Sequence, residues 1–151
     1  MGTTTFSGPV RSGTLKTGET NGPNLGFAVL EQETSITQNS TNAVSSTLYI
    51  PVGSKIIDII VDVLTAFNSA TSAVLTVGTA AAGTQYAGSV DAKTAGRTRP
   101  TFTAAQLAAM ANVSVLGVAA PTPAPVVVTV TPTGATSAGY LKVTLVYAQQ
   151  A

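Results

Sequence analysis

The chain has 151 residues, enough for one domain whose core removes roughly 68–70% of the unfolded chain's surface from water. Only 9% of its residues are charged, against ~25% in typical globular proteins, and the net charge is +1. With neither cysteine nor histidine, the sequence excludes disulfides, thiol nucleophiles and thiolate metal sites, and lacks the commonest general base and metal ligand.

So few charges leave a surface of Thr, Ser, Ala and Gly with little repulsion between molecules, which suits a chain whose surface becomes interface in an assembly. No basic region followed by an apolar run opens the chain, so no secretory signal is expected. No uninterrupted apolar stretch approaches ~18 residues, so no membrane span is expected.

Residues 1–25 are rich in Gly, Thr and Ser, and Phe6, Val10, Leu15 and Leu25 are too widely spaced to form a core face. This reads as an extended arm preceding a single β domain over 26–151. It is either a disordered terminus or an arm that orders on a neighbouring subunit with Phe6, Val10 and Leu15 as anchors.

Short strands are expected at 26–31, 34–37 and 46–50, with a Pro51-Val52-Gly53-Ser54 turn leading into a long strand over 55–67. In that strand the odd positions Ile57, Ile59, Val61, Val63 and Phe67 are apolar. The even positions mix Ile56, Ile60 and Leu64 with Asp58 and Asp62. Side chains alternate faces along a strand, so the odd face is expected in the core and the even face only partly covered. Richness in β-branched residues and the bracketing turns favour strand over helix.

Further strands are expected at 72–77 and 85–90, followed by a polar basic loop over 91–100 that carries Lys93, Arg97 and Arg99. These charges fit either a solvated loop or a contact with an acidic partner or nucleic acid. Without interleaved aromatics they make a poor nucleic-acid footprint, and no nucleic-acid partner is expected.

Residues 102–112 read as the one helix, with Thr103 and Gln106 as a capping box and Phe102 and Leu107 as a hydrophobic staple. Strands follow at 113–118, 126–131 and 140–147, separated by a stiff loop over 121–125 and a turn over 132–139. In the last strand Leu141, Val143, Leu145 and Tyr147 alternate with polar residues, the pattern of a strand buried on one face. About eight short strands, one short helix and no βαβ rhythm give an all-β class, a β-sandwich or jelly roll.

The chemistry is sparse. Asp58 and Asp62 share a strand face but stand about 13 Å apart, four residues at ~3.3 Å each. That exceeds even the ~6.5–9.5 Å of inverting glycosidases and is too far to share a metal. They are expected to mark a solvent- or interface-facing side of the sheet, opposite Lys55 or Lys142. No histidine and no Ser-x-x-Lys activates any serine, so neither enzyme activity nor a cofactor or metal is expected.

The block Leu48-Tyr49-Ile50-Pro51-Val52-Gly53-Ser54-Lys55-Ile56-Ile57-Asp58, continuing through Asp62–Phe67 to Leu75–Thr79, resembles small virion proteins of tailed bacteriophages. The start, Gly2-Thr3-Thr4-Thr5-Phe6-Ser7-Gly8-Pro9-Val10-Arg11-Ser12-Gly13, is similar to the N-termini of phage head decoration (cement) proteins.

The resemblance implies a β-rich protein on the outer capsid surface, made in the host cytoplasm, often trimeric, cementing neighbouring capsomers. Its partners are then the major capsid protein and itself. Under this reading Phe6, Pro9, Val10, Arg11 and Leu15 contact the capsid or a neighbouring subunit, and the face of Ile56, Asp58, Ile60 and Asp62 is buried between subunits. The alternative is a head-fibre or tail component that binds a host receptor or carbohydrate, against which stand the absence of tryptophan and only four tyrosines.

Overall fold

The computed structural model describes residues 27–38, 40–111 and 123–150. Among these residues eight strands form: β1 (Phe27–Thr37), β2 (Val44–Ile50), β3 (Ser54–Thr65), β4 (Ser72–Gly78), β5 (Ala87–Asp91), β6 (Gly96–Thr98), β7 (Ala124–Thr133) and β8 (Tyr140–Gln150). One helix, α1 (Ala104–Ala111), lies between β6 and β7. The predicted arm over 1–25 and strand over 113–118 lie outside the described residues.

The strands make two antiparallel four-stranded sheets, ordered β1-β8-β3-β6 and β2-β7-β4-β5. Each strand neighbours the one whose number complements its own to nine: β1 with β8, β2 with β7, β3 with β6, β4 with β5. The chain is thus one long hairpin doubled over at the β4–β5 turn and rolled up, so that β8 also meets β3 and β7 also meets β4. This is the jelly-roll order.

The inner faces follow the alternation of the sequence. Leu141, Val143 and Leu145 on β8 and Val126, Val128 and Val130 on β7 are fully buried, and meet Ile59 and Val61 of β3 and Leu75 and Val77 of β4 in one core. Neither end of a strand so packed can slip by one residue, since a slip would carry its whole apolar set to the solvent face.

The long strand departs from simple alternation. The β3–β8 register skips between Ile56 and Asp58, leaving Ile57 as an extra, unpaired residue. The bulge reverses the parity: Ile56 is buried before it, and Ile59, Val61 and Val63 after it, while Ile57 is 46% exposed. The expectation that Ile57 is core and that Ile56 shares a face with Asp58 is therefore corrected. A second skip between Val63 and Thr65 leaves Leu64 exposed, and the chain then turns to bury Phe67.

Three other boundaries differ. β1 is one strand rather than two, because its pairing with β8 runs unbroken through Gln32 and Glu33. β7 absorbs Pro125 and Pro132 near its two ends, positions where proline's missing N–H interrupts the ladder least. β6, a strand of three exposed residues, lies within the span expected to be a loop.

The loops at one end are tightly tied. Asn68 Oδ1 accepts from the backbone N–H groups of Ser137 and Ala138 at 2.9 and 3.0 Å, and its Nδ2 donates to Ser137 Oγ at 2.8 Å. At the other end Gly53, with φ of 77°, makes the β2–β3 turn, a left-handed conformation that glycine adopts without strain. The helix has the expected capping box, with Thr103 N donating to Gln106 Oε1 at 2.9 Å and Gln106 N to Thr103 Oγ1 at 3.2 Å. It buries Met110, packs on β3 and reaches the β4–β5 connection through Gln106 Nε2 to the Thr84 carbonyl at 3.1 Å, so it bridges the two sheets.

Candidate assembly surface

The outer faces of the two sheets differ in chemistry. Among the described residues, every charged side chain except Asp91 and Lys93 stands on or beside the outer face of the β1-β8-β3-β6 sheet. The opposite outer face carries Ser45, Thr47, Tyr49, Ser72, Val74, Thr76, Val127 and Thr131, and a single charge on its strands, Asp91 of β5 beside Val74. Part of that face is covered by the β4–β5 connection. There Ala82 N donates to Thr129 Oγ1 at 3.0 Å, Ser45 Oγ lies 2.8 Å from the same hydroxyl, and Thr129 is buried.

On the charged face the strand register fixes each neighbour. Asp62 lies opposite Lys142 on β8 and Arg97 on β6. Arg97 takes Asp62 in a two-pronged contact, Nε to Oδ1 at 2.7 Å and Nη2 to Oδ2 at 2.9 Å. This hydrogen bond, reinforced by the charges of Arg97 and Lys142, holds the Asp62 carboxyl below its ordinary pKa in spite of partial desolvation. Arg99, just past β6, pairs with Asp58 at a longer 3.3 Å. Lys142 turns away from Asp62 to Glu33 at 2.7 Å, and that hydrogen bond raises the lysine's pKa.

At one end of the face Lys55 stretches across β8 and sets its ammonium 4.3 Å from the centroid of the Phe27 ring, burying Ala148 between them.

The candidate residues therefore separate. Asp58, Ile60 and Asp62 do share one outward, half-buried face, while Ile56 points into the core. Phe6, Pro9, Val10, Arg11 and Leu15 lie outside the described residues. The acids do not depend on Lys55, and Lys142 is the register neighbour of Asp62 but bonds to Glu33; their main partners are Arg97 and Arg99.

The pairing of the basic segment with β3 was the missed feature. The sequence signal for it is slight: Gly-Arg-Thr-Arg places two arginines two apart, as on one strand face, but carries no apolar residue to announce a strand. Chemically the arrangement neutralises carboxylates; it gathers none of them. Among the described residues no group of three His, Cys, Asp or Glu could hold a metal ion.

No protein-family model matches the chain, and no curated protein matches it. Among solved structures, it is similar to a chain of one described as "Cyanophage Pam1 capsid asymmetric unit", with a TM-score of 0.52 at 18% sequence identity. The likeness covers 90% of this chain and 94% of that one, so the all-β sandwich is shared over nearly the full length of both.

Proposed function

We propose that this chain is a structural virion protein that binds the outer surface of a phage capsid and stabilises the lattice between capsomers, as a homotrimer. The observation that carries the reading is the fold shared end to end with a chain from a phage capsid structure. Jelly rolls build viral capsid and lectin domains alike, and the surface chemistry favours the first. Sugar-binding faces use aromatic platforms, whereas Tyr49 is the one strongly exposed aromatic side chain among the described residues.

In this reading the chain is no enzyme and needs no cofactor. What supports that is a sequence without His or Cys in which Asp58, Asp62 and Glu33 are each engaged by a cation. The major capsid protein and other copies of the chain are its partners, and neither nucleic acid nor a membrane is. Phe6, Pro9, Val10, Arg11 and Leu15 anchor the N-terminal segment on the capsid or a neighbouring subunit. The protein is made in the host cytoplasm and resides on the outer capsid surface.

The test is the copy number of the protein in purified virions, by quantitative mass spectrometry against the major capsid protein. Copies in a simple ratio to the capsid protein are expected. A handful of copies would replace this reading with a head-fibre or tail role, and absence would overturn it. Deleting residues 1–20 is expected to abolish capsid binding, and undiminished binding would remove the anchoring role of that segment.

A further inference from the structure

We infer that the two free edges of the β1-β8-β3-β6 sheet are the matching halves of one junction between copies of this chain, the β1 edge of one copy meeting the β6 edge of the next. The inference rests on the self-association in the proposed function and names the surface that performs it.

Register fixes which residues stand at the same level on the two edges. Val29, Leu30 and Glu31 on β1 align through Ala148, Tyr147 and Val146 of β8 with Lys55, Ile56 and Asp58 of β3. From one end inward, the β1 edge thus presents exposed Val29 (62%) and Leu30 (41%), then Glu31 and Glu33. The opposite edge presents Arg99, which reaches Asp58 at the level of Glu31, and Arg97 beside Asp62 at the level of Ser35, so Glu33 stands between the two arginines; Ile57 lies one strand further in, on β3. An acidic stretch on one edge thus stands level with a basic stretch on the other.

The arginines remain available outward although each has an internal partner. Their side chains are 70% and 66% exposed, whereas Asp62 and Asp58 are 18% and 23% exposed, so the rim is cationic and its counter-charges lie behind. On the other edge Glu31 has no ion pair among the described residues.

Backbone direction agrees with the match. β1 and β3 both run antiparallel to β8, and β6 runs antiparallel to β3, so β1 of one copy beside β6 of another is an antiparallel pair. Within one copy β1 pairs only with β8 among the described residues, and its other side is the open edge of the sheet. Like edges are disfavoured, because β1 against β1 sets glutamates together and β6 against β6 sets arginines together. The contact is therefore heterologous, the kind that closes rings.

The chain contains no cysteine, so introduced thiols report the junction cleanly. Ser35 and Ile36 of β1 stand level, through β8 and β3, with Arg97 and Gly96 of β6, so Thr37 and Ala95 are the next pair along the two edges. Within one copy they are three strand spacings apart, about 14 Å and beyond the ~7 Å reach of a disulfide, whereas β1 beside β6 sets them on adjacent strands. Both residues are exposed, so replacing them leaves the core intact.

In the full chain at low ionic strength, mild oxidation of the T37C/A95C variant is expected to give covalent oligomers on a non-reducing gel, while T37C and A95C alone stay single-chain. Adding E31K/E33K to the pair is expected to lower the cross-linked yield about tenfold, the lower scale of electrostatic steering. No cross-link in the double variant, a dimer from T37C alone, or a yield indifferent to the charge reversal would overturn the junction. An uncross-linked chain that is nonetheless abundant in virions would overturn the junction and leave the virion reading intact; a cross-linked chain absent from virions would do the reverse.

Discussion

Arg97 holds Asp62 by both nitrogens of its fork facing both carboxylate oxygens, at 2.7 and 2.9 Å, across the three-residue pairing of β6 with β3. β6 has no buried side chain, so apolar burial does not fasten it to the sheet; its short backbone pairing with β3 is supplemented by this pair and the weaker one between Arg99 and Asp58.

The first prediction follows from that dependence. Replacing Arg97 by Ala is expected to raise the Asp62 pKa toward the ordinary carboxylate range, read by carboxyl-carbon NMR titration, and to speed amide exchange at residues 96–98. The lowered pKa means that the stabilisation from Asp62 is complete above the ordinary carboxylate range and is lost as pH falls through the lowered value. An unchanged titration in Arg97→Ala would show that the pair does not hold in solution.

Reversed parity in β3 gives the second. Ile56→Ala is expected to cost about 2–5 kcal/mol, as for other fully packed aliphatic side chains, and Ile57→Ala less than about 0.5 kcal/mol. Urea unfolding at high ionic strength, where charge-steered association is screened, measures both. Equal costs would argue against the bulge.

A third concerns Gly139. A methyl group there would stand 2.5 Å from Cγ and Cδ1 of Phe67, which is itself buried. Gly139→Ala is expected to destabilise by about 1–3 kcal/mol through overpacking, read as a lower urea midpoint with unchanged slope. A midpoint equal to the parent's would mean that the Phe67 ring has room to move.

The capping box supplies the fourth. Thr103→Ala removes the acceptor for Gln106 N and is expected to cost about 1 kcal/mol, while Thr103→Ser keeps it and should cost less. Thermal unfolding of the two variants side by side is the measurement, and equal losses would assign the effect to something other than the cap.

These cases show what was legible in the sequence. Period-2 alternation marked β7 and β8 because the extra residues of the irregular pairing lie on β3, so burial along β7 and β8 follows residue number. The same rule misplaced Ile56 and Ile57, since a bulge is set by pairing with β8, some ninety residues along the chain, and leaves no local composition signal. The capping box was readable because both partners sit within one helical turn.

The ion-paired face was half legible. Asp58 and Asp62 stood out as charges in an apolar strand, but their arginine partners lie in a segment about 35–40 residues on, whose pairing with β3 leaves no local signal. Neither end of such a nonlocal pair predicts the other from its neighbours in sequence.

The doubled-over hairpin also has a kinetic meaning. Because each strand pairs with its complement to nine, β4 with β5 is the shortest closure and β1 with β8 spans almost the whole described chain. The loop entropy to be overcome grows at each successive pairing outward, so the β4–β5 hairpin is the natural nucleus and β1 the last strand to dock. Until it does, β8 has an open edge of its own, and a chain folding at high concentration would have to complete β1 before a neighbour's strand took its place.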